Sequence, residues 1–106
     1  MAELNKEKLL NTDFIDRFLS FIKKFDDVCS KNTLSFVQKW IDEEEYDYIK
    51  SFLFITSIET MLPITIHEFT TMTPEKLLSF QNFYIKLSDL LNEKQALYEE
   101  LNSFYE

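Results

Sequence analysis

The sequence predicts an all-α fold, a small bundle of four to five helices ending in one long heptad-patterned helix, and three observations carry that expectation. Glycine is absent and proline occurs twice. The common two-residue hairpin turns therefore lack their φ > 0 residue, whereas helix connections tolerate Asn, Ser, Thr and Asp. Apolar side chains recur at intervals of three and four from Phe14 onward, the period of one helix face. From Leu77 to Tyr105 the same intervals run without interruption, which is a heptad seam.

Residues 3–11 read as an initial turn of helix. The next element begins after Thr12 and Asp13, a capping pair, and places Phe14, Phe18, Phe21, Ile22, Phe25, Val28 and Cys29 on one stripe. Asp16, Arg17, Lys23, Lys24, Asp27 and Lys31 fall on the opposite, solvated face. Ser30 to Thr33 form a short connection, with Asn32 or Thr33 as the next cap. Val37, Trp40, Ile41, Tyr48, Phe52, Ile55, Ile58 and Leu62 continue the helical spacing, interrupted by Asp42-Glu43-Glu44-Glu45. Asp42 suits an N-cap and the three glutamates suit the positive end of a helix dipole. Two helices, near 34–41 and 43–61, are therefore expected in place of one rod. A short helix after Pro63 is expected over 63–71.

Thr73-Pro74-Glu75 is a well-formed helix start, with a cap, a proline at the first helical position and an acid in the first turn. The helix it opens carries Leu77, Phe80, Tyr84, Leu87, Leu91, Lys94, Tyr98, Leu101 and Tyr105, with Phe83, Leu90, Leu97 and Phe104 beside them. Straight, residues 74–105 would measure about 48 Å against about 27–29 Å for the earlier helices. An overhang of roughly 20 Å follows. On that overhang lie Leu97, Tyr98, Leu101, Phe104 and Tyr105, and leaving them in water would forgo ~1.5–3 kcal/mol each. With no Gly or Pro after Pro74 to break the rod, a homodimer is expected, through Leu91, Lys94, Leu97, Tyr98, Leu101, Phe104 and Tyr105. The other solution is a hairpin within the chain.

At 106 residues, 45% of them apolar, the chain has the material for one domain spanning 1–106. Its formal charge is −8. Residues 1–31 carry six basic and six acidic side chains, so the excess lies in the later two-thirds. Such a surface repels phosphate backbones and anionic lipid, which disfavours direct nucleic-acid or membrane binding and favours a partner protein with a basic surface. Ten lysines against one arginine associate the chain with an AT-rich genome, such as that of a low-GC bacterium, its phages or a virus. The first residues lack the basic and apolar regions of a signal peptide, and no apolar run reaches the ~18 residues of a membrane span. With Cys29 as the one cysteine, a cytoplasmic location follows, the host cytoplasm for a phage product.

Candidate chemistry is sparse. His67 is the single histidine, and neither Cys29 nor a serine stands at a spacing that implies activation by it. His67-Glu68 falls short of a metal-binding HExxH, because Thr71 stands where the second histidine belongs. No catalytic, metal or cofactor site is implied. Trp40, Asp42, Glu43, Glu44, Glu45, Tyr46 and Asp47 form the one segment that reads as a partner-binding site, an acidic run beside an aromatic anchor. The function expected is therefore non-catalytic: a protein–protein interaction module acting as adaptor, small chaperone or inhibitor. The alternative is a phage or mobile-element inhibitor that mimics DNA, with Asp47, Glu59, Glu68, Glu99 and Glu100 extending the acidic run, or blocks a basic site on a host nucleic-acid-handling protein.

Overall fold

The structure, a computed structural model, describes residues 3–55, 70–71 and 73–106. The described residues are helical throughout, apart from turns and one isolated bridge: α1 (Lys6–Leu10), α2 (Phe14–Cys29), α3 (Leu34–Asp42), α4 (Tyr46–Ile55) and α5 (Pro74–Ser103). The expected all-α bundle with a long C-terminal helix is the fold. The short helix expected over 63–71, and the part of the expected 43–61 helix beyond Ile55, lie outside the described residues except for Thr70 and Thr71.

Two glutamates set the register of α2 on α5. Arg17 binds Glu100 through its guanidinium at 2.6 and 2.8 Å, and Lys24 binds Glu93 at 2.7 Å. Seven residues forward on α2 are thus seven residues backward on α5, so the two helices run antiparallel. Tyr105 with Asp47, and Phe54 with Tyr98, repeat that relation for α4. The helices α2 and α4 are therefore parallel to one another, and both oppose α5.

Between them lies a core rich in phenylalanine. Phe14, Phe18, Phe21 and Phe25 follow one another along α2 with ring centroids 6.2–6.5 Å apart, and Phe52 meets Phe18 and Phe25 edge-on at 6.4 and 5.8 Å. These edge contacts satisfy the ring quadrupoles and add to the burial itself. Val37 from α3, Ile49 and Leu53 from α4, and Leu90, Leu97 and Leu101 from α5 complete the interior. Phe104 closes the base, perpendicular to Phe14 at 6.0 Å.

The overhang lies at the opposite end from the one expected. Leu97, Leu101 and Phe104 are buried by their own chain, Leu91 and Lys94 are half-buried, Tyr98 stacks on Phe54, and Tyr105 donates its hydroxyl proton to Asp47. Leu97, Leu101 and Phe104 of the expected dimer set are thus taken up by the core of their own bundle. The α5 rod is continuous, with no hairpin. At the register of the two ion pairs, Cys29 at the end of α2 stands level with Ser88. Residues 74–87 run on past it for about 20 Å, and the molecule is 51 Å long. Its exposed large apolar side chains include Leu77, Leu78, Tyr84 and Ile85 on that extension.

Among the described residues the chain turns without glycine by placing two ordinary residues in the left-handed region, Ser30 at φ 54° and Glu44 at φ 58°. After α3, Glu44 N–H donates to Ile41 O and Glu45 N–H to Trp40 O, at 3.1 and 2.7 Å, the paired bonds of a Schellman turn. The acidic run is therefore a turn between helices and not the first turn of one. Asp42 ends α3 instead of capping α4, and α4 begins at Tyr46, three residues later than its expected start. At the base, Glu3 and Glu106 exchange backbone hydrogen bonds of 2.8 Å in both directions, and Asn5 N–H donates to Phe104 O at 2.7 Å.

Candidate binding surface

The surface around the acidic turn is built by α3 and the start of α4. Residues Leu34, Val37 and Ile41 turn α3 toward the core. Phe36 and Trp40, four residues apart, share the next face outward. Phe36 is 62% exposed. Trp40 is half-buried, with Tyr48 at 5.8 Å on one side and Phe52 at 6.2 Å beneath it. Tyr48 is itself 54% exposed. Phe36, Trp40 and Tyr48 thus form an aromatic strip, held in place because its middle member is anchored in the core.

Carboxylates border the strip. Five of them and one lysine, Lys39, lie from Phe36 through Asp47. Asp42 accepts a hydrogen bond from the Gln38 amide at 3.2 Å, and Glu44 pairs with Lys6 at 3.4 Å. Glu43 and Glu45 are exposed. Asp47 accepts the Tyr105 hydroxyl at 2.7 Å, and the Lys50 ammonium sits 4.0 Å from the centre of the Tyr105 ring. Burial first, and then the bond to Asp47, hold the Tyr105 phenol in its protonated form well above the ordinary tyrosine range. Beside this group a shallow cleft of about 340 Å³ is lined by Glu3, Leu4, Lys6, Glu44, Tyr46, Asp47 and Tyr105.

Of the residues expected to bind a partner, the structure brings Trp40, Asp42, Glu43, Glu44, Glu45 and Asp47 to one end of the molecule. Tyr46 is the exception. At 5% exposure it belongs to the core, because the first inward position of α4 falls on it once the helix starts there. Phe36 is the addition. It lies off the Leu34, Val37, Ile41 stripe, so its period marks it as outward-facing, and an outward-facing phenylalanine is the signal that identifies it.

Of the extensions proposed for a DNA-like surface, Asp47 adjoins the acidic turn and two others are engaged within the chain. Glu100 is bound by Arg17, Glu99 accepts from the Gln95 amide, and Glu59 and Glu68 lie outside the described residues. His67 is likewise outside them. Cys29 is buried at the end of α2, where desolvation raises its thiol pKa. Among the described residues no three His, Cys, Asp or Glu side chains gather as a metal site, and no helix is long and apolar enough to cross a membrane. No family model matches the chain, and no curated protein or solved structure gives a match to it.

Proposed function

We propose that this protein is a non-catalytic binding module that engages another protein through the Phe36, Trp40, Tyr48 strip and its acidic border. The observation carrying this reading is the coincidence of the two features. Exposed aromatics on a rigid base supply the apolar area that dominates interface energetics, and a rim of one charge sign steers and orients a partner of the other. The partner is accordingly a protein with an apolar contact point ringed by lysine or arginine. An adaptor, a small chaperone and an inhibitor all use such a surface. Buried, unpaired Cys29 suits a reducing cytoplasm.

The DNA-mimicking reading has less support, because mimicry needs many unneutralised carboxylates in a phosphate-like row, and Glu44 and Glu100 are held by Lys6 and Arg17. Affinity capture from the native host tests the choice. The partner held by the wild-type chain should be lost with the Phe36→Ser/Tyr48→Ser double variant, weakened by Glu43→Lys/Glu45→Lys, and retained by Glu99→Lys. A partner that survives the aromatic double variant and dissociates steeply with salt would favour mimicry instead.

A further inference from the structure

Tyr46 is 5% exposed, and its ring belongs to the core. A buried phenol ordinarily bonds its hydroxyl to a partner, yet among the described residues the Tyr46 hydroxyl has none. Every side-chain oxygen there that is cut off from solvent is hydrogen-bonded, so this one opens onto the cleft of about 340 Å³ that Tyr46 lines. The cleft therefore has a fixed polar atom in its wall that the rest of the fold does not use.

Charge sets what that atom faces. Glu3, Glu44 and Asp47 line the same cleft against one lysine, Lys6. Lys6 pairs with Glu44 at 3.4 Å and so offsets one carboxylate of the three. Among the described residues the Glu3 carboxylate has no ion pair or hydrogen bond, and Asp47 gives one oxygen to the Tyr105 hydroxyl and keeps the other free. The positive end of the α4 dipole amounts to about half a charge, which Glu43, Glu44, Glu45 and Asp47 outweigh. The site is built for a cation.

We propose that this cleft receives the ammonium group of one lysine side chain from the partner protein. The inference rests on the binding surface proposed above, with which the cleft shares Glu44 and Asp47, and it names the side chain that the acidic border recognises. An ammonium offers three donors, and the cleft offers three acceptors on three residues: the Tyr46 hydroxyl, the free Asp47 oxygen and the Glu3 carboxylate. Leu4 and Tyr105 supply apolar wall for the alkyl stem. Other cations suit the site less. A divalent metal needs several carboxylates drawn to one point, and among the described residues none gather so. A guanidinium calls for paired acceptors in one plane. A methylated ammonium calls for open aromatic faces, and Lys50 already sits 4.0 Å from the centre of the Tyr105 ring.

Titration of the full chain with Nα-acetyl-lysine methylamide, followed by amide NMR shifts, tests the inference. The amides of Glu3, Glu44, Tyr46 and Asp47 should move with a dissociation constant of about 1–10 mM, as a few exposed charge-assisted bonds give. The norleucine analogue, which lacks the ammonium, should not move them. Tyr46→Phe should weaken binding about fivefold with an unchanged circular-dichroism spectrum, since it removes one bond and keeps the buried ring. Glu3→Gln should weaken it similarly, while Glu43→Gln, the same charge change outside the cleft, should not. Equal shifts from the norleucine analogue, wild-type binding by Tyr46→Phe, or equal loss in Glu43→Gln overturns the site. Tighter binding of the arginine or trimethyl-lysine analogue overturns the choice of ammonium, and putrescine binding more than about tenfold tighter than the lysine analogue makes a free diamine the ligand and overturns the partner as its source. These titrations use no partner, so their failure leaves the aromatic-strip reading standing. In affinity capture, Tyr46→Phe should weaken the partner that Phe36→Ser/Tyr48→Ser abolishes, and a partner held undiminished by Tyr46→Phe overturns the lysine assignment alone.

Discussion

The Asp26 carboxylate caps the helix that follows its own. It accepts Thr33 N–H at 3.0 Å, the Thr33 hydroxyl at 2.6 Å and Leu34 N–H at 2.9 Å, while the Asp26 carbonyl closes α2 by accepting Lys31 N–H at 3.0 Å. One residue thereby ends α2 and starts α3, and fixes the angle at which α3 presents Phe36 and Trp40. Asp26→Ala strands two backbone donors and a hydroxyl, and should cost about 2 kcal/mol. Thr33→Val removes one bond and should cost about half that. Urea unfolding monitored by circular dichroism reads both, and equal losses would show that the carboxylate does not act through its shared bonds.

Ser30 and Glu44 hold left-handed conformations that cost an ordinary residue roughly 1–2 kcal/mol. Glycine removes that cost and gives back part of the gain through the freer unfolded chain. Ser30→Gly should therefore stabilise the protein by about 0.5–1 kcal/mol, raising Tm by several degrees. Glu44→Gly should gain slightly less, because it also removes the exposed pair with Lys6, worth only a few tenths of a kcal/mol. Differential scanning calorimetry measures the change, and a lowered Tm for Ser30→Gly would contradict the strain argument.

These turns mark where sequence patterns stop being informative. The start of α5 was legible, since Thr73, Pro74 and Glu75 are all local signals, and the Thr73 hydroxyl accepts Lys76 N–H at 3.4 Å. The break at Asp42 was legible too. Its form was not. Three glutamates fit a helix N-terminus electrostatically, but burial of Tyr46 and the Schellman closure on Trp40 set the start of α4 later. A nonlocal cap such as Asp26 on Thr33 cannot be read from spacing, because its geometry exists only once two helices have met. The aromatic strip needed both levels, period for Phe36 and packing for Trp40.

Tyr105 gives stability a dependence on alkaline pH. Burial and the bond to Asp47 raise its folded-state pKa, so above the ordinary phenol value of about 10 the unfolded chain releases a proton that the folded chain keeps. Unfolding is then favoured as pH rises. This contribution is complete below pH ~10 and declines from there toward the folded value. The difference in stability between wild type and Tyr105→Phe should narrow or reverse across that range, with lysine titration common to both. A difference that is constant from pH 8 to beyond pH ~11 would show that Tyr105 ionises as freely in the fold as outside it.

Cys29 reports opening of the α2 end. Its side chain is fully buried, and desolvation raises its thiol pKa, which leaves little thiolate for nucleophilic attack near neutral pH. Labelling by an aromatic disulfide reagent should be slowed at least about tenfold relative to the urea-unfolded chain. Asp26→Ala should speed labelling in the folded chain, since loosening the α2–α3 junction exposes the sulfur. Native labelling as fast as in urea would show that the junction is open in solution.

The two halves of α5 share one apolar pattern and differ in what lies against it, which makes them an internal comparison. Leu101 is fully buried among α2 and α4, whereas Ile85 is 61% exposed on the extension. Leu101→Ala leaves a cavity in a packed interior and should cost about 3 kcal/mol. Ile85→Ala removes side-chain area that is already largely in water and should change stability by less than about 0.5 kcal/mol. Because helix propensity favours alanine over both residues, neither loss can be attributed to the backbone. Similar costs at the two positions would mean that the extension is packed as tightly as the bundle.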